Sequence, residues 1–124
     1  MQNHEPIIAC NFGAIEPTQR NDHADIAESI FTSALEIKEL TNGYAFRLPL
    51  ETAILQNAIT WIANERLCCP FFTFTLEVGE QFWLQLNGDG EVKEFIKSTI
   101  VDTLQQTGKL PDKEAWIIAH TPTD

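Results

Sequence analysis

The chain has 124 residues, 44% hydrophobic and 21% charged, a composition that excludes a wholly disordered polymer and suits one domain able to bury its own core. Eighteen acidic residues against eight basic ones give a net charge of −10. The basic residues are scattered from Arg20 to Lys113, so no positive stripe exists to grip a nucleic acid or an anionic membrane.

No apolar run approaches the ~20 residues that cross a bilayer, and the first residues lack the basic and apolar regions of a secretory signal. The expected compartment is the cytoplasm. There, three cysteines, an odd number, are expected as thiols or metal ligands.

Residues 1–16 read as an N-terminal arm, with a short strand or extended segment at 6–10 that ends in Cys10. A helix is predicted over 17–35, where Ile26, Ala27, Ile30, Phe31 and Ala34 recur at three- and four-residue spacing. Pro17 is tolerated in its first turn. His23, three and four residues before Ile26 and Ala27, falls on or beside the buried face. Asn42-Gly43 then stands between two alternating runs, Leu35/Ile37 and Tyr44/Phe46/Leu48. That predicts a hairpin closed by a type I′ turn, with Lys38 and Arg47 facing water.

A second helix is predicted over 51–67, with a broad stripe of Ile54, Leu55, Ala58, Ile59, Trp61 and Ile62. It stops at Cys69, because Pro70 disfavours helical backbone at the residue before it. Phe72, Phe74, Leu76 and Val78, then Phe82, Leu84 and Leu86, alternate on either side of Gly79-Glu80-Gln81 as a second hairpin. Asp89 is the expected cap of a third helix over 90–107, and Gly108 its stop. The tail, 109–124, carries Trp116-Ile117-Ile118-Ala119, costly to leave in water and expected to dock as a strand or strap. The order helix–hairpin–helix–hairpin–helix implies a single α+β domain over 1–124. It is a two-layer sandwich whose four-stranded, mainly antiparallel sheet carries three helices on its aromatic face.

One stretch carries chemistry: Glu65-Arg66-Leu67-Cys68-Cys69-Pro70-Phe71-Phe72. Two adjacent thiols at a helix–strand junction suit a strained vicinal disulfide, a shared soft metal ion or a thiol–disulfide relay. The helix C-terminus opposes thiolate formation and Arg66 favours it. Adjacent side chains diverge, so Cys68 and Cys69 alone chelate poorly, and a closed zinc site needs further ligands. Cys10 and His23 are the candidates, with Glu65 or Arg66 supporting the ligands from outside. The spacing of this Cys₃His set matches no standard zinc motif. The competing reading is that the cysteines fill the core as small hydrophobes and that His23 is a helix-edge residue.

Other features carry less. Gly88-Asp89-Gly90 precedes a helix, but Asp89 and Glu91 repel anions, which favours a turn and cap. Glu36, Glu39, Glu51 and Glu77 lie on different elements and form no assignable acid–base pair. Trp83, opposite Leu84 in the alternation, is the aromatic free to line a pocket or interface.

The residues from Glu65 to Phe74, then Trp83-Leu84-Gln85-Leu86-Asn87-Gly88 and Gly90-Glu91-Val92-Lys93-Glu94-Phe95, resemble a group of small bacterial proteins with a Glu-Arg-x-Cys-Cys-Pro-Phe signature. The resemblance spans roughly residues 7–100, with Cys10, His23 and Asn42-Gly43-Tyr44-Ala45-Phe46-Arg47 at matching places. Asn87 departs from the pattern usual in the group, and the tail after Gly108 has no counterpart there. The group brings no activity with it. The resemblance implies that Cys10, His23, Cys68 and Cys69 belong together.

Three functions follow as expectations. The first is binding of zinc or another thiophilic metal or metalloid at the Cys-Cys junction. The second is a thiol redox or nucleophilic enzyme using a vicinal cysteine. The third is a structural or interaction domain that forms a homodimer. The expected partner is a metal ion or small molecule, without nucleic acid or membrane.

Overall fold

The computed structural model describes residues 10–110; the expected strand or extended segment at 6–10, apart from Cys10, and the docking of 116–119 lie outside them. After a 3₁₀ turn (Phe12–Ala14), helix α1 (Pro17–Thr32) leads to strands β1 (Glu36–Leu40) and β2 (Gly43–Leu48). Helix α2 (Thr52–Cys68) is followed by β3 (Thr73–Val78) and β4 (Phe82–Asn87). The third helix begins as α3 (Val92–Ile96), passes through a π-helical turn (Lys97–Val101) and ends as α4 (Asp102–Thr107), helical backbone being kept at both joins.

The two hairpins pair through their inner strands in the order β1-β2-β4-β3, every pair antiparallel. The register sets Tyr44 against Leu86, Phe46 against Leu84 and Leu48 against Phe82. Cross-strand partners share a face, and these six are buried. The same face takes the helices. Phe31 of α1 meets Phe46 edge-on, with ring centroids 5.0 Å apart, and Trp61 of α2 meets Phe31 at 5.1 Å and Phe74 at 5.7 Å. Lys93 of the third helix bonds Glu39 at 2.6 Å and lies over the Tyr44 ring. This is the α+β two-layer arrangement that the periodicities imply.

The opposite face is polar, with Lys38 Nζ 4.7 Å from the Trp83 ring centroid and Arg47 bonded to Glu36 at 3.1 Å. Trp83 Nε1 donates to Gln81 Oε1 at 3.1 Å, and beside it Glu77, Gly79, Glu80 and Gln81 outline a shallow depression.

Two local expectations fail for identifiable reasons. The first hairpin turns on Thr41-Asn42, and among the described residues positive φ belongs to Gly90 and Gly108 alone. A type I′ turn needs positive φ at both central residues, so this turn is of another type. Gly43 is instead the first residue of β2, where a Cβ would collide with the Leu86 carbonyl of β4. Asp89 is no side-chain cap: its backbone carbonyl accepts from the Val92 N–H at 3.1 Å, and the third helix starts at Val92 rather than residue 90. Gly108 does end the helix, at φ 76. No helix among the described residues is long and apolar enough to cross a membrane.

Candidate metal centre

The site begins with a stripe on α2. Ala58, Trp61, Glu65 and Cys68 are spaced three or four residues apart and are buried. Pro70 forbids further helix, and Cys69 leaves the helical region at φ −127, ψ 76 while its N–H still reaches the Glu65 carbonyl at 2.6 Å. This change of backbone direction overcomes the divergence expected of adjacent side chains. Both sulfurs turn inward, with Cys68 and Cys69 fully buried and 3.7 Å apart.

Cys10 arrives from the N-terminal arm. The Asn11 N–H donates to the Cys68 carbonyl at 2.8 Å, which ties the arm to the last turn of α2. Beyond it, the Asn11 side chain accepts from the Gly13 N–H at 3.1 Å. Arg20 of α1 donates to the Ile15 and Gly13 carbonyls, each at 2.7 Å. These bonds fix the path of the arm as it enters α1. The outcome is a cluster: the sulfurs of Cys10, Cys68 and Cys69 all lie within 4.8 Å of one another, and all three are free thiols. Metal–sulfur bonds of about 2.3 Å place neighbouring sulfurs about 3.8 Å apart around a tetrahedral ion. The buried group has the size to hold a metal ion.

The cluster is electrostatically uneven. The Cys68 and Cys69 thiols donate to the Cys10 sulfur and hold its pKa at about 5, against burial and the Glu65 charge, which oppose ionisation. Cys69 is pushed strongly the other way, first by burial, then by its hydrogen bonds to Cys10 and Cys68, then by Glu65. The two directions describe one shared set of protons. One negative charge is solvated by the neighbouring thiols, and a second in the same apolar space is resisted. The readily ionised group is therefore Cys10, not vicinal Cys69.

His23 and Glu65 form a second buried unit. Nε2 of His23 donates to Glu65 Oε1 at 2.7 Å, with the two side chains 0% and 1% exposed. The ring lies parallel to Trp61 at 6.3 Å and tilted against Phe12 at 6.2 Å. Its Nδ1 is buried without a hydrogen-bond partner. The structure thus gathers Cys10, Cys68 and Cys69, while His23 stands outside the three-sulfur group and is held by Glu65. Arg66 is exposed. The His23–Glu65 pair escapes the sequence reading, though a signal for it exists. Glu65 continues the buried spacing of Ala58 and Trp61, and a carboxyl group on an apolar stripe needs a partner from a facing element. His23 is such a partner, on the buried face of α1.

No family model, curated protein or solved structure matches the chain, so its functional reading rests on this geometry.

Proposed function

We propose that this protein binds a thiophilic metal or metalloid ion through Cys10, Cys68 and Cys69. One observation carries the reading: the chain has three cysteines, and all three converge within 4.8 Å from two segments far apart in the sequence. Cys68 and Cys69 are neighbours in sequence, so the arrival of Cys10 beside them is what supports a shared role over simple core filling. Thiolate donors select Cu(I), zinc and heavier soft ions. The His23–Glu65 pair supports the site by locking α1 to α2, and Arg20 by fixing the arm. The cytoplasm is the compartment that suits three reduced thiols.

Cys10→Ala, Cys68→Ala and Cys69→Ala are each expected to lose tight stoichiometric ion binding while keeping a cooperative melt. Most of the buried core is hydrocarbon, and a cysteine left without its thiol neighbours can remain a neutral thiol, which behaves as a small hydrophobe. Undiminished binding in the Cys68→Ala/Cys69→Ala double variant would overturn the proposal.

A second reading is favoured by the acidity of Cys10. A thiol that ionises at about pH 5 is a nucleophile at neutral pH, and Cys68 and Cys69 stand ready to resolve an oxidised partner. It predicts rapid alkylation of one thiol in the native protein at neutral pH. Three thiols that react only after denaturation would exclude it.

A further inference from the structure

Two properties of the cluster restrict the ion. The first is the number of donors. Among the described residues, Cys10, Cys68 and Cys69 are the one group of three or more histidine, cysteine or carboxylate ligand atoms that close together. Nε2 of His23 is committed to Glu65, and its unpartnered Nδ1 does not fall within the three-sulfur group. Closed zinc sites take four ligands. Three sulfurs with no fourth donor beside them among the described residues match a pyramidal trivalent metalloid, whose lone pair occupies the remaining direction, or a three-coordinate Cu(I).

The second is charge. The three cysteines are 0–5% exposed, and the buried polar or charged side chains among the described residues are His23 and Glu65, bonded to each other. That pair offers no spare positive charge. Arg66 is exposed, and Arg20 spends its guanidinium on the Gly13 and Ile15 carbonyls. Three thiolates around a monovalent ion leave two negative charges, around a divalent ion one, and around a trivalent ion none. Binding through all three sulfurs removes the thiol protons that solvate the Cys10 thiolate in the free protein, so any charge left on the complex has no donor facing it and costs several kcal/mol or more.

We infer that the site is built for a trivalent thiophilic metalloid of the arsenite class, held by Cys10, Cys68 and Cys69 as a neutral three-sulfur complex. The inference rests on the metal-site reading and adds the class of ion. The chemistry balances without a redox step. Arsenous acid, a neutral trihydroxide, meets three thiols. Three arsenic–oxygen bonds break, three arsenic–sulfur bonds form, and the thiol protons leave with the hydroxyl groups as three waters. Where Cys10 is already a thiolate, one proton comes from solvent.

The test titrates the reduced full chain separately with arsenite, zinc and Cu(I), counts alkylatable thiols at each end point, and measures X-ray absorption of the arsenite complex. The expected result is one arsenite per chain, three thiols protected, three sulfurs around arsenic and retention against a large excess of zinc. Cys10→Ala should weaken arsenite at least roughly a hundredfold, the upper end of what loss of a mere supporting partner costs. Zinc or Cu(I) held stoichiometrically and not displaced by arsenite would overturn the trivalent assignment and leave the metal-site reading intact. Arsenite held equally well by Cys10→Ala would also overturn it, since two sulfurs would then suffice. Failure of all three ions to bind would overturn both.

Discussion

At the scale of single residues, the proton balance of the cluster makes a signed prediction. Cys10 has a folded pKa of about 5 against 9.0 for the free thiol. Between those values the unfolded state holds a proton that the native state lacks. Stability from Cys10 is therefore fully present above about pH 9 and is lost as pH falls through about 5. Cys69, whose pKa is raised, has the opposite sign: its contribution is present below 9.0 and falls as pH rises above it. Denaturant unfolding of the metal-free, reduced protein should show wild type gaining on Cys10→Ala as pH rises from 5 to 9, and a flat difference would contradict the shared-proton account.

The buried His23–Glu65 pair makes a second. Glu65→Ala strands a buried imidazole and should cost on the order of 3 kcal/mol or more, while Glu65→Gln, which still accepts from Nε2, should cost clearly less. Equal losses in the two variants would mean that packing against Trp61, not the hydrogen bond, fixes His23.

The arm and the end of α2 carry the argument at the scale of elements. Cys10 belongs to no helix or strand, and its place depends on the Asn11 bond to the Cys68 carbonyl and on Arg20 holding the turn that follows. Arg20→Ala should loosen ion binding about tenfold, roughly 1.4 kcal/mol, with a small change in melting temperature because the core is untouched. Unchanged affinity would show that the arm is positioned without Arg20.

The elements themselves were legible where one face of a helix or strand is apolar, as in Ile26–Phe31 and Phe82–Leu86. Pro70 and Gly108 marked helix ends because their backbone constraints are local. The first turn was misread because Gly43 answers to the carbonyl of Leu86, a neighbour distant in sequence. The π-helical turn at Lys97–Val101 leaves the apolar spacing of Val92, Ile96 and Ile100 intact and so gives no periodic sign of itself. The Cys68-Cys69 half of the site was visible as a motif. The meeting with Cys10 and the pairing of His23 with Glu65 are tertiary contacts, and no local pattern encodes them.

At the scale of the whole molecule, the three cysteines form part of a single buried core that is mostly hydrocarbon. Phe31, Phe46, Trp61, Phe82, Leu84 and Leu86 are fully buried, and with that much apolar surface covered, removal of an ion is expected to lower the melting temperature rather than unfold the chain. An ion that binds only the native state adds stability by mass action, about 4 kcal/mol at a thousand times its dissociation constant. The surface charge of −10 disfavours anionic ligands at a distance and leaves neutral ones unaffected. A site that takes up a neutral hydroxide is therefore compatible with so acidic a chain.

The central claim is that the three thiols act as one donor set. Native mass spectrometry of protein purified under reducing conditions, with free-thiol counting before and after denaturation, tests it most directly. Loading with a thiophilic ion should give one ion per chain, no reactive thiol in the folded complex, and three thiols with loss of the ion on denaturation. An unchanged mass after loading, with each thiol reacting independently of the others, would contradict it.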